Sequence, residues 1–195
     1  AILSRMDTYG RSFTKEISTL FNDAGGEAFF VRHYGKGDSD PASLTAELRD
    51  AVTKTLAAGA DPGSVGVLLV TFSEAIDFLR AAAEDPALST IRWYGTDGMA
   101  LNANLLKDAA AAGFAAKTGF TCPMTARGDN PTYAQIEQAL TESLGFEPSP
   151  YALGFYDAAW LATLSVLVTD DDRKNPEAIT EALRSMTQFY VGAPG

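Results

Sequence analysis

Cysteine and histidine are nearly missing from this sequence: its 195 residues hold one of each, Cys122 and His33. A single cysteine excludes an internal disulfide and any cysteine-rich metal site. A single histidine excludes multi-histidine metal centres and weighs against hydrolases built on a histidine base. Neither a GxGxxG fingerprint nor a GxxxxGK phosphate loop occurs, which removes the common nucleotide-binding readings. Basic residues are also short, with 15 Lys and Arg against 25 Asp and Glu and a net charge of −10. With no basic patch, neither nucleic acid nor an anionic membrane surface is an expected partner. No signal peptide is visible. The chain opens at Ala1 on strand-like sequence, as an excised piece would, so any targeting segment is expected to lie outside it.

What is present suits a folded domain. Hydrophobic residues make up 46% and charged residues 21%, enough apolar side chain to bury a real core. Over the first 125 or so residues, strand and helix patterns alternate. The expected strands are Ile2-Leu3-Ser4, Ala28 to Tyr34, Val65 to Val70, Ile91 to Tyr94 and Thr118 to Cys122, the last ended by Pro123. Between them, Phe13, Ile17, Leu20, Phe21 and Ala24 repeat at helical spacing up to Gly25-Gly26. Asp40-Pro41 opens a second helix whose stripe is Leu44, Leu48, Val52 and Leu56. Thr71 and Glu74 have the spacing of a capping box for a third helix burying Ala75, Ile76 and Leu79. A fourth helix is expected from Leu101 to Ala112, ending at Gly113.

This pattern predicts an α/β fold: a doubly wound parallel five-stranded sheet in the flavodoxin-like order 2-1-3-4-5, helices on both faces, followed by a helical segment. The division falls at 1–125 and 126–195. In the second part Asn130-Pro131, Ser149-Pro150 and Asn175-Pro176 each open a helix, the last burying Ile179, Leu183 and Met186. The helix from Tyr151 to about Val168 is apolar nearly all round. Its length is borderline for a membrane span and Asp157 interrupts it, so it is expected to be buried between layers and not to span a membrane. Left without its cover, its apolar face would favour self-association.

Three strand-to-helix turns draw attention: Asp7-Thr8-Tyr9-Gly10, Thr71-Phe72-Ser73-Glu74 and Gly95-Thr96-Asp97-Gly98. If the runs before them are parallel strands, all three lie at the carboxyl edge of one sheet, where open α/β folds bind ligands. Two aromatics and a carboxylate there suit a small amphiphile carrying a positive charge. Each residue also has a purely structural reading. Asp97 serves as an Asx-turn or helix cap, Tyr9 and Phe72 as packing, and Tyr151 as a contact at a helix entry. His33 and Cys122 read as structural, and Asp157 stays open between capping, bonding a neighbouring helix and facing a cleft. No nucleophile with a base and an orienting acid assembles, and no metal or cofactor is expected.

Three segments taken together, Arg5-Met6-Asp7-Thr8-Tyr9-Gly10-Arg11-Ser12-Phe13, Trp93-Tyr94-Gly95-Thr96-Asp97-Gly98 and Tyr151-Ala152-Leu153-Gly154-Phe155-Tyr156-Asp157-Ala158-Ala159-Trp160, resemble the type I periplasmic binding proteins of the leucine/isoleucine/valine kind, receptors of amino-acid and amide ABC importers. The resemblance implies two lobes with a ligand between them. Residues 1–125 would form the second lobe, 126–195 helices returning to an incomplete first lobe, and 190–195 the approach to the last hinge crossing. It implies a ligand-binding set of Asp97 for the ligand ammonium and Tyr9, Phe72 and Tyr151 for the walls. Phe72 lacks the hydroxyl of the usual tyrosine, and Asp97 is a methylene shorter than the glutamate of some relatives. The implied partners are a small-molecule ligand, an amino acid or a related amide or amine, and an ABC permease. The implied setting is periplasmic or extracellular, including a lipid-anchored form, and no enzymatic activity is implied. A sensory ligand-binding domain of the same fold is the alternative, and an α/β enzyme a weaker one.

Overall fold

The computed structural model describes residues 1–35, 40–169 and 175–188. The 190–195 segment and its expected hinge approach lie outside the described residues. Two compact units divide the chain, Ala1–Met124 and Thr125–Gly195.

In the first unit β1 (Ile2–Arg5), β2 (Val31–Tyr34), β3 (Gly66–Val70) and β4 (Arg92–Gly95) form one parallel sheet in the order β2-β1-β3-β4. Side chains alternate across it. Val67, Leu69 and Trp93 are fully buried on one face, while Leu68, Arg92 and Tyr94 point to the other and stay partly open. The sealed face is covered by α2 (Pro41–Ala57), α3 (Ala75–Ala82) and α4 (Ala109–Thr118) through Leu44, Leu48, Val52, Phe78, Leu79 and Phe114. Helix α1 (Thr8–Asp23) packs on β1 and β3 but buries only Gly10 and Thr14. Of its expected stripe, Leu20 and Phe21 are exposed.

Several boundaries differ from expectation for local reasons. The sheet has four strands, not five: Thr121 makes only an isolated parallel bridge to Tyr94. Residues up to Thr118 belong to α4, Gly119 turns left-handed at φ 65°, and Pro123 has no N–H to continue a ladder. The fourth helix begins later than expected because Asp108, not a residue near Leu101, caps it by accepting from the Ala111 N–H at 2.9 Å. Gly113 therefore lies inside the helix rather than ending it. The second strand starts at Val31 instead of Ala28.

The second unit contains α5 (Pro131–Leu144), α6 (Pro150–Val168) and α7 (Pro176–Thr187). Each has proline at its start, and the side chains of Asn130 and Asn175 cap α5 and α7. The core here is small, with Tyr133 and Leu153 packed against Ile136 and Leu140. Expected burial on α7 is not found: Leu183 is exposed and Ile179 and Met186 only half-buried. Nor is α6 a buried core helix. Leu153, Asp157 and Ser165 are buried, but Phe155, Trp160, Leu167 and Val168 are exposed. A helix apolar on all sides needs neighbours on all sides, and α5 and α7 supply few. By length and composition alone, with a mean hydropathy of 1.4, α6 would also pass for a membrane span.

Candidate functional site

Parallel order places the ends of β1, β3 and β4 side by side, so the three turns that follow them share one edge. The first turn is pinned by Asp7, whose Oδ1 accepts from the Gly10 N–H at 2.9 Å and caps α1. Helix α1 leaves the strand so abruptly that only glycine fits at position 10. A Cβ there would meet the Arg5 carbonyl oxygen at 2.1 Å. Tyr9, in the first helical turn, is thereby aimed across the sheet edge.

Tyr9, Phe72 and Asp97 come together. The Tyr9 ring stacks on Phe72 with centroids 5.2 Å apart and planes 20° apart, and its hydroxyl donates to Asp97 Oδ1 at 2.9 Å. Burial, with the nearby Asp97 carboxylate, holds the Tyr9 phenol above its ordinary pKa, so it remains a donor at neutral pH. Asp97 is exposed and opens a short turn, Asp97–Met99, capped by Thr96 without any side-chain bond. Its carboxylate thus does not perform the local capping that its sequence context suggests. Phe72 packs so closely over Gly98 that a Cβ at 98 would lie 2.6 Å from the ring.

A charged cluster adjoins the ring. Arg5, the last residue of β1, donates from Nε to Asp7 Oδ2 and from Nη1 to Glu74 Oε1, both at 2.7 Å. Its guanidinium lies 4.8 Å over the centre of Phe72. Tyr34 donates to the same Glu74 oxygen at 3.1 Å. Burial alone would raise the Glu74 pKa; the hydrogen bonds from its own backbone N–H and from Arg5 outweigh this and hold the carboxyl below its usual range. Asp7 is also held low, chiefly by the Gly10 N–H and then by Arg5. Burial pushes the Tyr34 phenol well above its ordinary value, with Glu74 adding to it.

This arrangement overturns the capping box: α3 begins at Ala75 with Glu74, not Thr71, at its N-cap and no side-chain capping bond, and the Thr71 hydroxyl is buried without a partner. Sequence reasoning assigned no role to Arg5 or Tyr34, and to Glu74 only that of a helix cap. The available signal was an arginine and a glutamate of opposite charge flanking the carboxyl ends of two adjacent strands.

Tyr151 is in the second unit, in the first turn of α6, with its hydroxyl buried and unbonded. Cys122 packs beneath Gly95, and burial raises its thiol pKa. His33 sits in β2 opposite Ser4 of β1. Among the described residues, no three His, Cys, Asp or Glu side chains are grouped to hold a metal ion. A cavity of about 610 Å³ between α1 and the amino ends of the strands and a groove of about 560 Å³ between α2 and α3 are lined by other residues. Tyr9, Phe72 and Asp97 form an open wall, and we give this wall more weight than either cavity because donor, acceptor and aromatic surface converge on it.

No protein-family model matches the sequence, and no curated protein matches it. Solved structures do. An ABC transporter substrate-binding protein from Sphaerobacter thermophilus superposes with a TM-score of 0.60 at 19% identity, over 94% of this chain and 47% of that one. A candidate branched-chain amino acid ABC transporter from Rhodospirillum rubrum gives 0.57 at 19% identity, over 100% of this chain and 51% of that one. The chain therefore has the fold of ABC transporter substrate-binding proteins and spans about half the length of these two.

Proposed function

We propose that this chain is part of a solute-binding protein that captures an amino acid of branched-chain type, or a related small amide or amine, for an ABC importer. Its setting would be periplasmic or extracellular, and an ABC permease would be its partner. In this reading residues 1–125 form one ligand-binding lobe and 126–195 a helical segment of the other. The observation that carries it is the meeting of Tyr9, Phe72 and Asp97 on the carboxyl edge of the sheet.

The chemistry follows from the geometry. One oxygen of Asp97 takes the Tyr9 hydroxyl, which orients the carboxylate toward a ligand ammonium. The stacked rings offer an apolar surface and a negative π-face to the same ligand. An exposed ion pair is worth little, so closure that shuts out water would be needed for tight binding. Tyr151 stays in the proposed ligand-binding set on the strength of the resemblance alone. The fold of the two solved structures supports a solute-binding role, and one of them is described as a candidate branched-chain amino acid ABC transporter.

Calorimetric titration of the full-length protein, with both lobes present, against L-leucine tests the reading. Asp97→Asn is expected to weaken binding at least tenfold, equivalent to about 1.4 kcal/mol. Unchanged affinity in that variant would remove Asp97 from the site.

A further inference from the structure

We infer that Arg5 is a positioning residue for this edge: its ion pairs with Asp7 and Glu74 hold the Phe72 ring against Tyr9 and set how well the site grips the apolar body of a ligand. The inference rests on the solute-binding reading above.

Phe72 lies in the loop between β3 and α3 and is 40% exposed. Beyond its contact with Gly98 and its stack on Tyr9, a ring in such a place has little to fix its rotamer, and ordering it costs conformational entropy. Arg5 is the opposite case. Two carboxylates hold its planar fork from two directions, and that fork loses little freedom per hydrogen bond formed. Glu74, the second anchor, is itself held by Tyr34 from β2. The guanidinium is thus a fixed surface on which the ring can rest, with cation–π attraction to keep it there. The contacts run from Tyr34 through Glu74, Arg5, Phe72 and Tyr9 to Asp97.

The capping pattern at α3 supports the same inference. Thr71 and Glu74 have the right spacing to cap the helix, and a side-chain cap is typically worth about 1 kcal/mol. Instead α3 starts at Ala75, the Glu74 carboxylate takes Arg5 beside its own backbone N–H, and the Thr71 hydroxyl stays buried and unbonded. A local rule broken in this way is expected where geometry serves a site. Because Phe72 carries no hydroxyl, its contribution is apolar contact, while the ammonium falls to Asp97. Arg5 therefore governs discrimination by side-chain size, whereas Asp97 governs what all amino acids share.

The experiment compares the full-length protein of which this chain is part in that reading with its Arg5→Gln, Arg5→Lys and Asp97→Asn variants. Aromatic proton shifts report the stack without any ligand, and calorimetry with L-leucine and L-alanine reports selectivity. Arg5→Gln should abolish the mutual ring-current shifts of Tyr9 and Phe72. It should weaken leucine about tenfold and alanine about twofold or less, changes that convert to affinity at 1.4 kcal/mol per decade. Arg5→Lys, with charge but no fork, should recover part of both effects. Asp97→Asn should weaken the two amino acids alike. Native ring-current shifts in Arg5→Gln, or equal weakening of leucine and alanine, would overturn the inference. If neither amino acid binds the native protein, or Asp97→Asn changes nothing, the solute-binding reading fails, while the ring-current comparison still decides whether Arg5 positions Phe72.

Discussion

Replacing Gly10 by alanine is a demanding test of how the edge is built, because ordinary helix propensity predicts the opposite sign. Gly10 lies in α1, and alanine is favoured over glycine in a helix interior by about 1 kcal/mol. The added Cβ would stand 2.1 Å from the Arg5 carbonyl oxygen and 2.8 Å from Ser4 Oγ, against about 3.5 Å for a relaxed contact between carbons. The carbonyl is backbone at the end of β1, so it cannot swing aside; α1 must lift away from the strand. Overpacking typically costs about 1–3 kcal/mol, and an approach of 2.1 Å to fixed backbone puts this case at about 2–3 kcal/mol. With propensity offsetting part of it, a net loss of about 1–2 kcal/mol remains, or a fall of roughly 4–8 °C in Tm for a unit of this size. Gly113 in α4 is the control: nothing lies within 4 Å of its Cβ position, so Gly113→Ala should gain about 0.5–1 kcal/mol. Thermal melts followed by near-ultraviolet circular dichroism would measure both. Gly10→Ala at or above native stability would refute the close approach of α1 to β1.

Two further outcomes follow from buried groups. Trp93 is fully buried, donates from Nε1 to the Leu88 carbonyl at 2.9 Å and meets Phe114 edge-on at 5.2 Å. Trp93→Phe should destabilise by about 1–3 kcal/mol through the orphaned carbonyl, read as a lower urea midpoint, and the fluorescence left from exposed Trp160 should be readily quenched by iodide. Glu74 is held below its ordinary pKa of 4.5, so its stabilising share is present above that value and is lost as pH falls through the depressed one. Glu74→Gln should therefore lose less stability than native as pH falls below 4.5, measured by urea midpoints at each pH; parallel profiles would contradict the pairing with Arg5.

Periodicity located most of the α/β unit because its signals are local. Val67, Leu69 and Trp93 alternate with partly open neighbours as a sheet face requires. Proline at the start of α2, α5, α6 and α7 fixed those helix starts. Failures arose where two local signals competed. Thr118 to Cys122 has strand-forming residues, but Asp108 and Gly119 set the limits of α4 and leave only Thr121 to pair. Leu101 to Ala112 contains ample alanine, yet a helix begins where an orphan N–H finds an acceptor, and that is Asp108. The burial expected of α6 and α7 depends on neighbours, which a helix's own sequence does not specify.

At the site, what could be read from the sequence was proximity, and what could not be read was who holds whom. Parallel strands with similar register must bring their following turns to one edge, so the meeting of Tyr9, Phe72 and Asp97 follows from topology. The hydroxyl of Tyr9 then chooses Asp97 across 88 positions of sequence. The pairing of Arg5 with Glu74 spans 69 positions and overrides a local motif. A capping box would give Glu74 the Thr71 backbone N–H; the folded chain gives it, beside its own backbone N–H, a charge-assisted hydrogen bond from Arg5, roughly twice as strong as a neutral one. Local pattern predicts the first, and the second wins only after the sheet has brought β1 and β3 together. Residues that satisfy a local rule on paper but are diverted in the folded chain, as Thr71 and Glu74 are, therefore mark where tertiary contacts have built something the local rule does not need.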